Sequence, residues 1–417
     1  MSTSFRLSLL SAAALFSLVA CSSSEPPSMI GSFTVPANLP PTTIPLIIEG
    51  DQILLEVEAV GPKGSRKLLA NLNMGGPDSG WMEHVYAEVG HVSHTPVRFK
   101  LGGIPVEVTP GHSSALEDKA FPDRQVGFFF FPQKVEGQIQ CGVLQNFDIS
   151  LDYVQKTLTL GAPGTLPHDG VAVPIKVKPE TGMSTVDFVV DGKAYPMVID
   201  VGGPYTWIRP RTAAEWLKTH PDWRRAQGAV SLINYGMTEY KAEQNGTVMR
   251  LDKAAIGPMP IENVGIFGTG NGIGPFNIVD TEDFYDMWQK GAAEPVVAWL
   301  GANVLKHYRI TIDYKAQMSW WKKLSDINPH ELDAVGVEFA YENGVYKIVR
   351  IVEKDGKPTA SGVKNGDRLI AVDEKRVDGW SRTQVLASLQ GKPGDRHSVT
   401  VERGDKTQTF FLPVEAF

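Results

Sequence analysis

A carboxylate that closely precedes two glycines is the residue of this sequence best placed for acid–base chemistry. Asp200 follows the apolar residues 197–199 and precedes Val201, Gly202 and Gly203. Glycines allow a tight backbone turn, which brings a carboxylate out at the surface of a β lobe. A carboxylate held near another acid can serve as the base or as the acid of a reaction. Asp200 is therefore the first candidate catalytic residue.

A similar turn occurs earlier in the chain with an amide in place of the carboxylate. Asn73 begins residues 73–77, Asn-Met-Gly-Gly-Pro, as Asp200 begins residues 200–204, Asp-Val-Gly-Gly-Pro. An amide cannot take up or relay a proton at physiological pH, although it can donate a hydrogen bond and hold the turn. The first position therefore lacks the acid–base group of the second.

Residues 197–208, Met-Val-Ile-Asp-Val-Gly-Gly-Pro-Tyr-Thr-Trp-Ile, closely resemble the Asp-Thr/Ser-Gly segment of pepsin-like and retropepsin-like aspartic peptidases. Leu300-Gly301 resembles the apolar-apolar-Gly segment that packs beside that turn in the family, and both features recur in the first part of the chain. The resemblance covers most of residues 45–323. It implies two β lobes, a cleft for extended polypeptide, and three substrate-binding glycines, Gly75, Gly202 and Gly203.

In that family two carboxylates share one proton, so one activates a water while the other supplies a proton. This sequence has Asn73 at the first carboxylate position. It also has Met74 and Val201 where the family has Thr or Ser, so the hydroxyls that cross-link the two turns are missing. The sequence thus departs from the family at the point where the chemistry takes place.

Three interpretations of the turns stay open. In the favoured one, the cleft binds peptide without hydrolysis, because function is decided by the site and not by the fold. In the second, an active peptidase pairs Asp200 with Asp78, which follows the turn and would need a displaced geometry. In the third, Asp200 is only a turn residue and the cleft is vestigial.

Other reactive side chains have simpler explanations. His84, His91, His94 and His112 lie close in sequence, but without a nearby cysteine or a regular carboxylate pattern they are expected to be solvated loop residues. Cys141 lies in an apolar stretch and is expected to be buried. No Gly-X-Ser-X-Gly elbow occurs. We therefore expect no metal and no organic cofactor.

The elements that must position the two turns occur twice in the same order. A hairpin leads into each Gly-Gly-Pro turn, a second segment of β character follows, and a third segment runs from a glycine to Asp-Tyr and then a strand. The paired segments are residues 54–72 and 185–199, residues 97–105 and 248–260, and residues 142–153 and 301–314, with Gly142 matched to Gly301. The sequence therefore predicts lobes at residues 45–162 and 170–323.

Additional elements are expected within these lobes. Residues 212–219 and 281–290 of the second lobe predict two short helices, and the glycine-rich residues 267–275 between them predict a mobile loop. The four phenylalanines at residues 128–131 predict a buried strand in the first lobe.

Residues 361–373, Ser-Gly-Val-Lys-Asn-Gly-Asp-Arg-Leu-Ile-Ala-Val-Asp, resemble the small-Gly-apolar and Gly-Asp-x-Ile segments of bacterial PDZ domains. Residues 381–389 predict a helix with Ser381 as its N-cap. The resemblance implies a PDZ domain over residues 333–415, in which a peptide adds as a strand between a sheet edge and this helix.

A short loop of this module matches the one that holds a peptide's terminal carboxylate in PDZ domains. It consists of Gly336, Val337, Glu338 and Phe339, and Glu338 departs from the usual apolar residue or glycine. Peptide partners, including C-terminal peptides, are therefore expected here. The alternative is a module that serves only as a structural cap on the second lobe.

The first 21 residues are typical of a bacterial lipoprotein signal. Arg6 precedes the apolar residues 7–20, a run too short to span a bilayer. Residues 18–21, Leu-Val-Ala-Cys, resemble a lipobox, in which Cys21 is lipidated, and residues 22–44 predict a tether. Because Ser22 is not aspartate, lipoprotein sorting rules imply anchoring at the outer membrane, facing the periplasm. An ordinary secretory signal is the alternative.

Composition agrees with this organisation. A net charge of −7 argues against a nucleic-acid partner, and 41 glycines with 29 prolines favour a turn-rich β protein. The predicted fold class is mostly β, with two duplicated aspartic-peptidase-like lobes followed by a small α+β PDZ domain. The predicted function is binding of extended peptide or protein segments in the cell envelope, with proteolysis or a structural scaffold as alternatives.

Overall fold

A computed structural model describes most of the chain, namely residues 33, 35–92, 95–108, 133–237, 239–273 and 279–417. Several sequence predictions fall outside these residues and stay predictions. They are the lipidation site Cys21 with the signal and most of the tether, the histidines His94 and His112, and the phenylalanines at residues 128–131.

Short strands dominate the described residues, and the helices are few and brief. The strands are β1 (Thr42–Pro45), β2 (Ile47–Glu49), β3 (Gln52–Gly61), β4 (Gly64–Leu72), β5 (Gly80–Trp81), β6 (Val97–Leu101), β7 (Ile104–Val108), β8 (Val135–Ile139), β9 (Asp148–Asp152), β10 (Thr157–Gly161), β11 (Val171–Pro174), β12 (Lys176–Val177), β13 (Ser184–Val190), β14 (Lys193–Ile199), β15 (Trp207–Ile208), β16 (Arg225–Gln227), β17 (Thr247–Ile256), β18 (Met259–Gly268), β19 (Ala298–Leu300), β20 (Tyr308–Asp313), β21 (Met318–Lys323), β22 (Ala334–Val335), β23 (Val337–Glu342), β24 (Val345–Ile351), β25 (Glu353–Lys354), β26 (Lys357–Pro358), β27 (Arg368–Val372), β28 (Lys375–Arg376), β29 (Arg396–Arg403) and β30 (Lys406–Glu415). The α-helices are α1 (Glu83–Val89), α2 (Cys141–Leu144), α3 (Pro210–Thr219), α4 (Lys241–Gln244), α5 (Thr281–Trp288), α6 (Ala302–Leu305) and α7 (Arg382–Ser388), and 3-10 turns occur at Ser231–Ile233 and Gln289–Gly291.

Two sheets repeat one arrangement, the first in residues 42–161 (the first half) and the second mainly in residues 171–323 (the second half). The first sheet has the order β5-β8-β4-β3-β6-β7 with β2 beside β3, and the second has the order β12-β13-β14-β19-β15-β18-β17-β16-β25-β26. In each sheet, the second strand of a hairpin pairs in parallel with a strand that comes later in the chain. These pairs are β4 with β8 and β14 with β19. The predicted hairpins are confirmed, and Asp191 and Gly192 have the positive φ angles that a tight two-residue hairpin loop requires.

A third sheet is shared by the two halves. Its order is β1-β10-β9-β20-β21-β11, and its central pair joins β9 of the first half to β20 of the second. At the middle of that pair, the hydroxyls of Ser150 and Thr311 lie 3.0 Å apart. Next to them, the buried Leu151 and Ile310 lie opposite each other. One hydrophobic core is continuous through both halves.

The C-terminal sheet is separate and has the order β22-β30-β29-β27-β24-β23, with β28 beside β27. Helix α7 packs on it through Val385 and Leu386. Ser381 and Gln384 form a reciprocal capping box at its start, which confirms the predicted N-cap. The hairpin β25–β26 leaves this module and extends the second sheet through β16.

The fold class is confirmed as mostly β. The helix predicted at residues 212–219 begins earlier, at Pro210, because proline fits the first helical position, where no donor is needed. The helix predicted at residues 281–290 is capped by Asp280, ends at Trp288 and continues as a 3-10 turn. In the part of the chain that the structure describes, no helix has the length and apolar character needed to cross a membrane.

Pairing of β9 with β20 gives a first prediction. Leu151→Ala and Ile310→Ala should each lower the free energy of unfolding by about 2–5 kcal/mol, because both side chains are buried. In the double variant, the loss should differ from the sum of the two single losses by about 0.5–3 kcal/mol, since the two residues lie opposite each other across the halves. Urea unfolding of the four proteins measures this coupling, and strictly additive losses would contradict a shared sheet. Val171→Ala, an exposed position of the same sheet, is the control.

Candidate functional site

Asn73 and Asp200 occupy equivalent turns with the same hydrogen bonds. The amide of Gly75 donates to Asn73 Oδ1 at 2.8 Å, and the amide of Gly202 donates to Asp200 Oδ1 at 2.8 Å. Each side chain thus stabilises its own turn by accepting a hydrogen bond from the amide two residues later. The backbone agrees, since Asn73 N donates to the last residue of β8 at 2.9 Å and Asp200 N to the last residue of β19 at 3.0 Å.

A short helix follows the parallel strand in each half and packs on the turn. The matching contacts run from α2 to the first turn and from α6 to the second, namely Cys141 N to Gly76 O, Gly142 N to Pro77 O, Ala302 N to Gly203 O, and Asn303 N to Pro204 O. Gln140 and Gly301 are the residues that immediately precede these helices. The predicted match of Gly142 with Gly301 is therefore wrong by two residues, because the first half has Gln140 at the position where the second half has glycine.

Each of the two side chains lies against the opposite turn, across the boundary between the halves. A Cβ atom added to Gly75 would lie 2.7 Å from Asp200 Oδ2, and one added to Gly202 would lie 2.7 Å from Asn73 Nδ2. Each side chain therefore rests on the glycine of the opposite turn, where any larger residue would collide. Gly203 lies beside the same carboxylate, with its added Cβ 3.3 Å from Oδ2.

Burial dominates the electrostatics of Asp200, whose exposed fraction is 8%. Burial raises the pKa of its carboxyl to about 6, and the amides of Gly202, Met74 and Gly75 oppose this rise by donating hydrogen bonds. Two of those amides belong to the first half, so the carboxylate is held from both sides. The opposite side chain, Asn73, cannot bind a proton, so the pair has one titrating group and cannot share a proton between two acids.

Asp78 lies beyond the first turn, at the position that corresponds to Tyr205 in the second. Burial raises the pKa of its carboxyl to about 7. Among the described residues, no hydrogen bond joins Asp78 to Asp200. The structure therefore leaves Asp78 as a partly buried acid near the site and not as the partner of a hydrogen-bonded pair.

Two residues that the sequence analysis missed link the turns. Gln52 Nε2 of the first half donates to Gly202 O at 3.2 Å, and Trp288 Nε1 of the second half donates to Gly75 O at 2.6 Å. They connect the halves at a place where Met74 and Val201, both buried, offer no hydroxyl. The sequence offers one signal for each residue. Gln52 is a polar residue at the start of an apolar strand, and Trp288 is a tryptophan in a predicted helix.

The remaining reactive side chains have structural partners. Cys141 is buried, its thiol donates to Met74 O at 3.0 Å, and burial raises its pKa well above the ordinary value. His84, predicted as a solvated loop residue, instead lies in α1, where its largely buried ring contacts the Glu136 carboxylate at 2.6 Å, next to Arg66. Within the described ranges, no group of three or more His, Cys, Asp or Glu side chains could hold a metal ion.

Residues 336–339 of the C-terminal module, predicted as a peptide-binding loop, are closely packed, and Val337 to Phe339 instead begin strand β23. Val337 and Phe339 lie in the hydrophobic core of the module. Glu338 is fully buried, and its Oε2 accepts a hydrogen bond from the amide of Ala229 in the second half at 3.2 Å. A Cβ on Gly336 would lie 2.0 Å from the hydroxyl of Thr359. Ligand binding by these residues stays a prediction.

Comparison with known protein families identifies the module. The family model of the PDZ domain matches residues 334–414. Residues 334–414 form a PDZ domain. This confirms the predicted resemblance almost to the residue, and since PDZ domains bind peptides, it supports a peptide or protein partner.

Two solved structures are similar to parts of the chain. One is a photosystem II D1 C-terminal processing protease, 24% identical over 20% of this chain and 23% of that one, with a TM-score of 0.19. The other is basic 7S globulin from soybean, 10% identical over 70% of this chain and 96% of that one, with a TM-score of 0.39. This chain therefore spans less than a quarter of the length of the protease.

Burial of Asp200 predicts a pH dependence of stability. Because the pKa is raised from 3.8 to about 6, the folded protein favours the neutral acid. This contribution is complete below pH 4 and is lost as the pH rises to about 6, which amounts to about 3 kcal/mol. The free energy of unfolding of the wild type should therefore fall relative to Asp200→Asn across this range.

Urea unfolding at a series of pH values measures this difference. In the matched variant Asp78→Asn, the corresponding change should extend to about pH 7, because the pKa of Asp78 is raised to about 7. A constant difference between wild type and Asp200→Asn from pH 3 to pH 8 would show that Asp200 is not held as a buried acid.

Proposed function

We propose that the two halves form an aspartic-peptidase-like fold whose cleft binds extended polypeptide without efficient hydrolysis. The observation that carries this proposal is the amide of Asn73, which stands opposite Asp200 in an equivalent turn. A peptidase of this kind needs two carboxylates that share a proton. The site keeps the turn geometry and lacks the second acid.

The two turns keep equivalent geometry but lack the pair of acids, and this combination favours binding over catalysis. The glycines at positions 75 and 202 still admit the opposing side chains, and Gln52 and Trp288 hold the turns together. Backbone groups of a cleft floor fixed in this way can pair with an extended chain. The PDZ domain belongs to a second family that binds peptides as strands, which fits the same class of ligand.

Proteolysis is the second candidate, and one observation favours it. Asp200 is a buried acid and Asp78 a partly buried one, and burial raises their pKa values to about 6 and about 7. Groups that change charge near neutrality suit general acid–base work. A bound substrate would have to bring Asp78 into reach of Asp200 for this activity.

Cleavage and binding of a diverse library of unstructured peptides, from about pH 3 to pH 7, separates the two candidates. The wild type should bind peptides and leave them intact. Asn73→Asp restores a second carboxylate and should introduce slow cleavage with an acidic optimum, because two adjacent acids split their apparent pKa values. Mass spectrometry of the products measures cleavage, and fluorescence anisotropy measures binding.

Three variants control this experiment. Wild-type cleavage that disappears in both Asp200→Ala and Asp78→Ala would overturn the binding proposal in favour of a peptidase. A folded protein that neither binds nor cleaves any peptide would instead support the structural scaffold. Asn73→Gln, which keeps the amide, should not gain activity.

We also propose that the chain is anchored by lipid at Cys21, on the periplasmic side of the outer membrane. The lipobox-like residues 18–21 and the polar residues that follow support this location. Expressed in a bacterium with radiolabelled palmitate, the wild type should incorporate label and Cys21→Ser should not, because acylation needs the thiol. Label retained in Cys21→Ser, or its absence from both proteins, would contradict the anchor, and Cys141→Ser is the matched control.

A further inference from the structure

A segment of the second half lies along the open edge of β23 in the PDZ domain. Among the described strands of the C-terminal sheet, β23 pairs only with β24, which leaves its other edge for a ligand. Phe339 N donates to Asn234 Oδ1 at 2.7 Å, and Phe339 O accepts from Asn234 Nδ2 at 3.0 Å. Tyr341 N donates to Met237 O at 2.8 Å. Residues 234–237 thus take the hydrogen bonds that a bound peptide would make.

The residues just before this segment contact the helix on the other side of the groove. The 3-10 turn Ser231–Ile233 contacts α7, and Gln390 Nε2, just past that helix, donates to Ser231 Oγ at 2.8 Å. PDZ ligands lie between this helix and the edge strand. The segment therefore sits in the ligand groove itself.

Met237 anchors the segment in the domain. Its side chain is fully buried. Among the described residues, it is the one buried side chain from outside the PDZ domain that belongs to that domain's hydrophobic core, with Phe339, Val385 and Leu386. An apolar side chain inserted between edge strand and helix is how a PDZ ligand obtains its specificity.

We propose that residues 234–237 are a built-in occupant of the PDZ groove, which an extended peptide must displace in order to bind. This inference rests on the PDZ domain and not on the proposed function of the cleft at Asp200. The occupant is an internal segment whose chain continues on both sides. A displacing ligand therefore needs an apolar side chain in the place of Met237, and it does not need a free C-terminus.

The occupant is held differently from an added strand. Among the described residues, Met237 supplies a main-chain hydrogen bond to the edge, and the side chain of Asn234 takes the two main-chain groups of Phe339. An antiparallel strand exchanges two main-chain bonds with every second residue of its partner. Met237 also has a φ of 44°, a left-handed conformation that is unfavourable for a side chain of this size. An extended ligand can therefore gain bonds that the occupant lacks.

Removing the occupant's contacts should open the groove. The probe is a fluorescein-labelled synthetic peptide with the sequence of residues 229–241, and the receptor is the full chain as wild type or as the double variant Asn234→Ala, Met237→Gly. An attached segment competes at an effective concentration of about millimolar, so the variant should bind the probe at least about tenfold more tightly. Anisotropy measures binding, and hydrogen exchange follows the amides of Phe339 and Tyr341.

In the wild type these two amides should exchange slowly without ligand. In the variant they should exchange quickly and become slow again when the probe is added. Equal affinity of both proteins for the probe would overturn the proposal, and so would a folded variant with fast-exchanging amides that fails to bind it. If the double variant does not fold, Asn234→Ala alone is tested with the same outcomes.

The control is Asn271→Ala, an exposed asparagine of the second half whose hydrogen bonds stay within that half. It should bind the probe as weakly as the wild type does. Tighter binding by this control would contradict the proposal, because it would show that general loosening of the second half opens the groove. Peptide binding at the cleft is scored separately with Asp200→Ala, which leaves the groove contacts in place.

Discussion

The antiparallel pairing of β9 with β20 fixes how the two halves face each other. Each half carries its turn on a parallel pair of strands, β4 with β8 and β14 with β19, and the turn follows directly from the pair. Because the shared sheet sets the distance and angle between the halves, the Asn73 side chain rests on Gly202 and the Asp200 side chain on Gly75. Glycine at these two positions is a consequence of that approach.

A site built in this way separates geometry from chemistry. The backbone bonds of the two turns are equivalent, while their side chains differ by the replacement of a carboxyl by an amide. That replacement removes the repulsion between two carboxylates that would split their pKa values. The pKa of Asp200 is therefore raised to about 6 by burial, and the hydrogen bonds from the backbone amides oppose this rise. The links through Gln52 and Trp288 keep the turns in register without the hydroxyls that Met74 and Val201 cannot supply.

The PDZ domain is not an independent appendage. Its hairpin β25–β26 extends the second sheet, and its edge strand is bonded to residues 234–237 of the second half. Arg382, at the start of α7, is buried and donates a hydrogen bond to Gly50 of the first half at 3.2 Å. Both halves therefore contact the helix that forms one wall of the peptide groove. An event that changes the groove would act on contacts that reach the rest of the molecule.

The sequence by itself determined the mostly β class, the hairpins that lead into the turns, the PDZ domain and the pairing of Asn73 with Asp200. These features depend on local patterns, such as alternating apolar residues, Gly-Gly-Pro turns and a capping box, which are legible without tertiary contacts. Only the tertiary structure decided that Gln140 corresponds to Gly301, that Gln52 and Trp288 link the turns, and that Met237 fills the PDZ groove. Gln52 and Gly202 are 150 residues apart, and Trp288 and Gly75 are 213 apart. Contacts across such separations are set by how whole sheets pack, and local sequence patterns do not predict them.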